Sequence, residues 1–264
     1  MRFTGQVVWI TGASSGIGEA LVHAFAREGA RVVLSARRSA ELERVLAALP
    51  GKRDHHVIVP LDLAASDTFD AAVKTVLATC GHVDLLINNG GIGQRGFAAD
   101  TPLAIDRAIM EVNYFGAVGL TKALLPALRA RRRGRIVVIS SVVGYVATPR
   151  RSAYAASKHA LHGFFNALRA ELWREGIGVT LVCPGYVRTE ISVQALDSTG
   201  GRHGRGDSAQ AGAMSADTFA QRLLPALAAG RDEVVIGGRE TFGIPLQRFL
   251  PGIMARILRR MTFS

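Results

Sequence analysis

Short apolar runs rich in β-branched residues alternate with longer stretches of helical periodicity along most of the chain. The runs predict seven strands, at residues 7–11, 31–35, 56–60, 84–87, 135–140, 179–183 and 233–236. After the first run, Ile17, Leu21, Ala24 and Phe25 repeat at the spacing of a helix with one buried face. Strands that alternate with helices imply parallel βαβ units, and wholly apolar strands are typical of a sheet covered on both faces.

We therefore predict an α/β fold, with a doubly wound, seven-stranded parallel sheet of the Rossmann type in a single domain over residues 1–264. Residues 1–190 are expected to form the cofactor-binding and catalytic core, 191–240 the substrate lid and last strand, and 241–264 a C-terminal segment. The polar, glycine-rich stretch 194–214 departs from the regular alternation. It is too long for an ordinary connection, which indicates either a functional lid or a disordered insertion.

The composition excludes several classes of protein. Hydrophobic residues make up 48% and charged residues 20% of the 264 residues, which argues against a disordered chain, a collagen or a disulfide scaffold. Cys80 and Cys183 lie far apart in apolar runs and indicate a reducing compartment. The first strand begins too close to Met1 for a signal peptide, and no long uncharged apolar stretch predicts a spanning helix. We expect a cytoplasmic protein.

Residues 11–18, TGASSGIG, lie between the first predicted strand and the first helix. Their glycines permit a tight turn and a close approach of a pyrophosphate. The helix N-terminus offers free N–H groups and the positive end of its dipole. A plain glycine-rich turn is the alternative, but the position between strand and helix favours phosphate binding. The spacing is GxxxGxG rather than the commoner GxGxxG.

This loop and a series of later motifs resemble the short-chain dehydrogenase/reductase family. In chain order the later motifs are Asp62-Leu63, Asn88-Asn89-Gly90-Gly91, Asn113, Ser140-Ser141, Tyr154-x-x-x-Lys158 and Pro184-Gly185. The resemblance covers residues 5–190, with a looser match through Gly237, and the motifs are highly specific in combination. Where the family usually has alanine in Asn-Asn-Ala-Gly, this chain has Gly90, a mild change that leaves the chemistry intact.

The end of the second strand predicts which nicotinamide cofactor binds. An acidic residue there would bond the ribose 2′-hydroxyl of NAD and repel a 2′-phosphate. Ala36 stands at that position, and Arg37 and Arg38 follow it. Because an arginine fork can bind a phosphate and stack on adenine, we predict NADP(H). A solvated pair of arginines at a helix entry is the alternative.

The resemblance implies further cofactor contacts. Asp62 would bond the adenine amino group, Asn89 and Gly90 would line the adenosine ribose, and Thr189 would bond the carboxamide. In the family the lysine of the Tyr-x-x-x-Lys motif also holds the nicotinamide ribose. The predicted cofactor-binding residues are Gly12, Ser14, Ser15, Gly16, Ile17, Gly18, Arg37, Arg38, Asp62, Leu63, Asn89, Gly90, Tyr154, Lys158, Pro184, Gly185, Val187 and Thr189.

Tyr154 and Lys158 are four residues apart in a helical pattern, so they share one face and lie about 6 Å apart along it. A nearby ammonium favours the phenolate and lowers the pKa of the tyrosine from about 10, which suits a general acid or base. For the motif alone, an amphipathic surface pair is the alternative. Ser141 follows the fifth strand at the edge where open α/β sheets bind ligands, and its hydroxyl can hold the substrate oxygen. Spacing to the tyrosine selects Ser141 over Ser140.

By resemblance, Asn113 matches the family residue that holds a water in the proton relay, so the predicted catalytic residues are Asn113, Ser141, Tyr154 and Lys158. On the substrate side, Val143, Val146 and Tyr186 suggest an apolar pocket for a lipophilic ketone or aldehyde, although the same residues suit an ordinary core. The histidines show no metal-ligand spacing, and we predict no metal site.

The formal net charge of +11 has two visible concentrations. The arginines within 129–135 end a predicted helix, where cations suit the negative end of the helix dipole. Residues 241–264 carry four arginines and no acid, and their apolar residues follow one helical stripe interrupted at Pro251-Gly252. This pattern is typical of a basic amphipathic helix on an anionic membrane surface. Packing on the protein's own core or on another subunit is the favoured interpretation, and the resemblance implies a homodimer or homotetramer, since family members are commonly dimers or tetramers.

These features predict an NADP(H)-dependent oxidoreductase that interconverts a small carbonyl compound and its alcohol. A catalytically silent, NADP(H)-binding regulatory protein is the main alternative, which the four intact catalytic residues disfavour. The positive charge alone suggests a nucleic-acid binder, but no recognised motif appears and aromatic residues are only 6%. A Rossmann-type methyltransferase is disfavoured because Arg37 stands where an acidic ribose ligand is expected.

Overall fold

Seven parallel strands form the central sheet of the computed structural model, which describes residues 1–51, 53–204 and 212–260. The strands are β1 Val7–Thr11, β2 Arg31–Ser35, β3 Val57–Ile58, β4 Leu85–Asn88, β5 Gly134–Ile139, β6 Ile177–Pro184 and β7 Glu233–Ile236. Their spatial order is β7-β6-β5-β4-β1-β2-β3, so the chain winds outwards from β1 in both directions. The predicted α/β fold, with a doubly wound parallel sheet in a single domain, is therefore confirmed.

Helices connect the strands and cover both faces of the sheet. They are α1 Gly16–Arg27, α2 Ser39–Ala47, α3 Phe69–Cys80, α4 Leu103–Met110, α5 Gly116–Arg131, α6 Ser152–Leu172, α7 Ala216–Ala228, α8 Gly243–Phe249 and α9 Pro251–Arg260. A π-helical turn at Glu111–Phe115 joins α4 to α5. Such turns accommodate an additional residue and occur frequently at functional sites.

The side chains of β1 divide the core into two halves. Val8 and Ile10 pack on the side of α1 and α7, whereas Val7 and Trp9 pack on the side of α3, α5 and α6. This follows from the alternation of side chains along a strand. β1 pairs with both β2 and β4, so the strand order reverses there. Open sheets of this kind bind ligands beyond the carboxyl ends of the strands at that reversal.

Most strand ends differ from their predicted positions by one or two residues, as strand assignments commonly do. The larger difference is β3, which spans Val57–Ile58 instead of residues 56–60. Pro60 has no N–H to donate to a strand ladder. At the other end, the ring of His56 replaces a backbone acceptor, because its Nδ1 accepts from the N of Val32 at 3.2 Å.

The glycine-rich segment 194–214 is described only in part. Short parallel pairs join Leu196–Asp197 to Gln94–Arg95 and Met214–Ser215 to Val187–Arg188. Residues 205–211 lie outside the described part of the chain. A lid and a disordered insertion therefore both stay predictions.

The C-terminal segment is broken as expected, because α8 ends at Phe249 and α9 begins at Pro251. Residues 261–264 lie outside the described part. In residues 1–51, 53–204 and 212–260, none of the helices combines the length and the hydrophobicity that a bilayer crossing requires.

Candidate active site

Backbone atoms of two loops form the floor of the predicted phosphate site. Gly12 and Gly16 have φ values of 65° and 59°, a left-handed conformation that glycine adopts without steric cost. A Cβ on Gly12 would lie 2.8 Å from the Cα of Gly90, so the loop after β1 touches the loop after β4. Asn89 joins the loops: its N donates to Thr11 Oγ1 and its Nδ2 donates to Thr11 O, both at 3.0 Å.

Gly18 has a different role from the one expected. It does not line the cavity beside the glycine loop, because it lies where α1 packs on that loop. A Cβ at this position would overlap the carbonyl oxygen of Gly12. Close packing therefore requires this glycine, and the structure does not bring it to the cofactor.

A cavity of about 340 Å³, the cofactor cavity, extends from the glycine loop along the carboxyl edge of the sheet. Its lining includes every predicted cofactor-binding residue except Gly18. Arg37 and Arg38 lie on the β2 side, and Tyr154 and Lys158 lie on the β5 side. Cationic side chains, a helix N-terminus and a backbone approach that only glycine permits suit a dinucleotide. The residues present therefore fit a nicotinamide dinucleotide. No group of three or more metal-ligating side chains occurs in the described part of the chain.

Arg44 supports the glycine loop, a role that the sequence did not predict. Its Nη1 and Nη2 donate to the two carboxylate oxygens of Glu19 at 2.8 and 3.1 Å, and Nη2 also donates to Ser14 O at 3.4 Å. Arg38 reaches the same loop, since its Nη2 donates to Ser14 Oγ at 3.3 Å. The contact between Arg44 on α2 and Glu19 on α1 has no local sequence signature.

Tyr154 meets Ser141 at the carboxyl edge of the sheet. Both side chains line the cofactor cavity there, and Ser141 Oγ accepts from the N of Val143 at 3.1 Å. Ser140 Oγ instead bonds His162 Nε2 at 2.8 Å in the interior. The structure thus brings together the serine that the spacing selected and the tyrosine.

Lys158 lies one helical turn beyond Tyr154 and is buried. Its Nζ donates to Ile139 O at 2.9 Å and lies 5.6 Å from the centre of the Tyr154 ring. Burial lowers the pKa of Lys158 to about 8. The predicted pairing on one helix face is present, but the ammonium is directed at a backbone carbonyl.

The pKa of Tyr154 does not follow the expectation. Burial raises it, and the charge of Arg151, the hydrogen bond with Ser141 and the charge of Arg95 lower it in part. The predicted lowering by Lys158 is not met in this structure, because that lysine is itself buried and bonded elsewhere. The cations that act on the phenol are arginines that the sequence did not single out.

Asn113 lies in the π-helical turn and is buried. Its Oδ1 accepts from the N of Ile92 at 2.8 Å, and its Nδ2 donates to Ile92 O and Ser157 Oγ, both at 3.0 Å. It does not line the cofactor cavity. The structure therefore shows its side chain fixing the loop after β4 against α6, and the predicted water contact stays a prediction.

A second cavity of about 80 Å³, the substrate cavity, adjoins Ser141 and Tyr154. Tyr186 lines it as expected. Val143 and Val146 line neither cavity, because both side chains are buried in the protein interior. The expected apolar pocket is wrong for these two valines. The lining of the substrate cavity is Gly93, Gln94, Arg95, Ser141, Arg151, Tyr154, Gly185, Tyr186, Val187, Ile191, Ser192 and Ala195.

The C-terminal helices are attached to this region through Glu240. Its Oε1 accepts from the N of Tyr186 and from the N of Gly238, both at 2.9 Å. Within α8 and α9 the buried residue is Met254, whereas Phe242 and Phe249 are each 73% exposed. Leu246 and Leu258 are half-buried, so this apolar stripe packs on the protein's own core in part and leaves the rest of its residues exposed.

Comparison with known proteins agrees with the geometry. A family model described as short chain dehydrogenase matches residues 6–199. The chain belongs to the short-chain dehydrogenase family. This short-chain dehydrogenase is 49% identical over 240 residues to a dehydrogenase/reductase SDR family protein 7-like of Anopheles gambiae, covering 89% of this chain and 76% of that protein.

Two solved structures of short-chain dehydrogenases share the fold. The one from Burkholderia cenocepacia J2315, in complex with NADP, has 27% identity and a TM-score of 0.81 over 98% of this chain and 99% of its own. The one from Burkholderia phymatum, in complex with NAD, has 24% identity and a TM-score of 0.81 over 100% of this chain and 99% of its own. Chains of this fold therefore hold either nicotinamide cofactor.

Proposed function

We propose that this oxidoreductase interconverts a carbonyl compound and its alcohol with NADP(H), and that Tyr154 is the general acid and base. The observation that carries the proposal is that Ser141 and Tyr154 both line the two cavities, so their side chains belong to the wall that the cavities share. A substrate in the smaller cavity meets both hydroxyls and faces a cofactor in the larger one. A nicotinamide cofactor supplies or accepts the hydride when bound.

Each residue of the site has a defined task. Ser141 holds the substrate oxygen by a hydrogen bond and so fixes it beside the phenol. In reduction, Tyr154 gives its proton to that oxygen as negative charge develops there. The same hydroxyl takes a proton from the alcohol in the opposite direction. Lys158, anchored on Ile139 O, presents a positive charge to the cofactor cavity one turn from the tyrosine.

Two features support NADP(H) over NAD(H). Ala36 leaves no carboxylate at the end of β2, and Arg37 and Arg38 are exposed at the rim of the cofactor cavity. Guanidinium groups at this position suit a 2′-phosphate.

Replacement of the tyrosine hydroxyl tests the proposal. NADPH oxidation is measured with a panel of ketones, aldehydes, quinones and 3-oxoacyl compounds for the wild type and for Tyr154→Phe. We expect turnover to fall by about 10²–10⁴-fold, because the proton donor is lost, while the Kd of NADPH, from its fluorescence, stays within a factor of about two. Tyr114→Phe, on a ring that packs against Phe164, is the matched control.

Two results would contradict the proposal. Unchanged turnover in Tyr154→Phe removes the assigned acid. Tight NADPH binding without reduction of any member of the panel favours the silent regulatory protein instead.

We also propose that α8 and α9 contact an anionic membrane surface. Phe249, Leu250, Ile253 and Ile257 are exposed, and the four arginines of this segment lie beside them without any acid. Apolar side chains with a cationic border suit anionic lipid. A second copy of the same face would bring like charges together, which disfavours self-association there.

Vesicle sedimentation tests this contact. The wild type should sediment with vesicles of phosphatidylglycerol and not with those of phosphatidylcholine, and the double variant Phe249→Ser, Ile253→Ser should stay in the supernatant. Phe97→Ser, which removes an exposed phenylalanine elsewhere, should behave as the wild type. Equal sedimentation of all three proteins, or a dimer in solution that the double variant alone dissociates, would contradict membrane binding.

A further inference from the structure

Two arginines enter the substrate cavity from separate parts of the chain. Arg95 lies on the short strand Gln94–Arg95 and is only 7% exposed. Arg151 caps the N-terminus of α6, three residues before Tyr154. Both line the cavity together with Ser141 and Tyr154. Two arginines therefore border the same cavity as the two hydroxyl residues assigned to the substrate oxygen.

Hydrogen bonds hold Arg95 in place. Its Nη2 donates to Ser192 Oγ at 3.1 Å and its Nη1 donates to Gln94 O at 3.4 Å. The preceding residue, Gln94, is fully buried, and its Oε1 accepts from the N of Ala153 on α6 at 3.0 Å. Gly96 forms a bridge with Arg151. The two arginines therefore belong to one connected unit with the helix that carries the tyrosine.

Arg95 and Arg151 are the charged side chains among the described residues that line this cavity. Among the described residues that line it there is no aspartate or glutamate. Both arginines act on the reacting phenol, because their charges hold the pKa of Tyr154 below the value that burial alone would give. An anion in the cavity would be attracted by the same charges, and most strongly where water is excluded.

Resting on the function proposed above, we propose that the substrate carries an anionic group, a carboxylate or a phosphate, which Arg95 and Arg151 bind in the substrate cavity. Guanidinium groups match both anions through paired N–H donors. Holding the anion at one end would orient the carbonyl oxygen towards Ser141 and Tyr154. The substrate is then an oxo acid or a phosphorylated ketone rather than a neutral lipophilic ketone.

Equilibrium binding to the NADP⁺-loaded protein tests the inference without turnover, because a ketone cannot accept hydride from oxidised cofactor. The probes are 4-oxopentanoate, 4-oxopentyl phosphate and the neutral 4-oxopentanamide, measured by titration calorimetry. We expect at least one anionic probe to bind about tenfold or more tightly than the amide, and its identity distinguishes carboxylate from phosphate. Arg95→Met and Arg151→Met should each remove most of that preference and leave amide binding unchanged.

Arg150→Met is the matched control, because Arg150 adjoins Arg151 in sequence but lines neither cavity. It should keep the wild-type preference, and NADP⁺ affinity in all variants should confirm a folded cofactor site. Amide binding as tight as anion binding, or a preference that survives both Arg95→Met and Arg151→Met, would overturn the inference. Failure of the proposed function appears separately, as a lack of NADPH oxidation with every carbonyl compound of the first panel and with 4-oxopentanoate and 4-oxopentyl phosphate.

Discussion

The cofactor side and the substrate side of this site are built from different materials. Glycines in close contact form the floor of the cofactor cavity, where Gly12 lies against Gly90, and Gly18 packs behind that floor against Gly12. Polar side chains of residues 94–95, 151 and 192 contribute to the wall of the substrate cavity. The first is set by backbone geometry, which a few spaced glycines encode within one loop. The second depends on contacts between segments that are far apart in sequence.

This difference explains why one half of the site was predictable. Except for Gly18, the cofactor residues inferred from the sequence line the cofactor cavity, because a strand, a glycine loop and a helix follow one another directly. Arg95 and Arg151 were missed, since nothing near them in sequence indicates that they meet. Val143 and Val146 were misjudged because hydrophobicity alone does not distinguish a pocket wall from the core.

The largest expected effect is on NADPH affinity, from a substitution that adds a Cβ to the floor of the cofactor cavity. Gly12→Ala places a Cβ against Gly90 in a left-handed backbone, so NADPH affinity should fall by about 100-fold or more, at a cost of about 3 kcal/mol. Gly81→Ala is the matched control, because Gly81 is also left-handed but has open space around it. It should cost about 1 kcal/mol in unfolding free energy and leave NADPH affinity unchanged. Equal NADPH affinities of the two variants would show that the close contact between Gly12 and Gly90 does not determine cofactor binding.

Lys158, which lines the cofactor cavity one helical turn beyond the shared wall at Tyr154, is expected to lower the free energy of unfolding. Burial lowers the pKa of Lys158 from 10.5 to about 8, so the folded state binds fewer protons than the unfolded state between these values. The burial of this lysine therefore lowers the free energy of unfolding by its full amount below pH 8. This destabilisation disappears as the pH rises to 10.5. Lys158→Met should raise the free energy of unfolding by about 2 kcal/mol at pH 7, after allowing for the lost bond to Ile139.

Urea unfolding of the wild type and Lys158→Met at pH 7 and pH 10.5 measures this difference. The stability gain of the variant should shrink at the higher pH. A gain that is the same at both values, or a loss at pH 7, would show that the buried ammonium does not limit stability.

Arg37 tests the contribution of a side chain to the cofactor cavity, whose floor is otherwise formed by backbone atoms. Arg37→Ala should raise the Kd of NADPH about tenfold, because one charge-assisted contact with the 2′-phosphate is lost at an exposed site. The Kd of NADH should change less than twofold, which makes NADH the internal control. Fluorescence titration of both cofactors decides the matter, and equal weakening would exclude a role in 2′-phosphate binding.

Ser192→Ala has the smallest expected effect. It removes the hydroxyl that accepts from Arg95 Nη2, so the Kd of the preferred anionic probe should rise about threefold while that of the amide stays constant. The same calorimetric titration measures both. An effect on the amide alone would mean that this serine contacts the chain of the substrate rather than positioning the arginine.

Most of the fold could be predicted from the sequence, and the features that could not be predicted have physical causes. Apolar runs located every strand of the sheet, yet β3 is shorter because His56 replaces a backbone acceptor with its ring. Asn113 was found through a motif, but its packing role depends on a helical distortion that periodicity does not reveal. The interruption at Pro251 was predicted, whereas the exposure of the apolar stripe on α8 and α9 depends on tertiary packing.

The wide turn at Glu111–Phe115 also constrains how this protein can change. Each residue advances a regular helix by about 100° of rotation, so α5 would turn relative to α4 by about that amount if the same residues formed a regular helix without the wide turn. Asn113 would then swing away from Ile92, and Leu120 and Leu124 would leave the core. The wide turn therefore fixes which face of α5 meets the core, and a change that straightens it would expose that face.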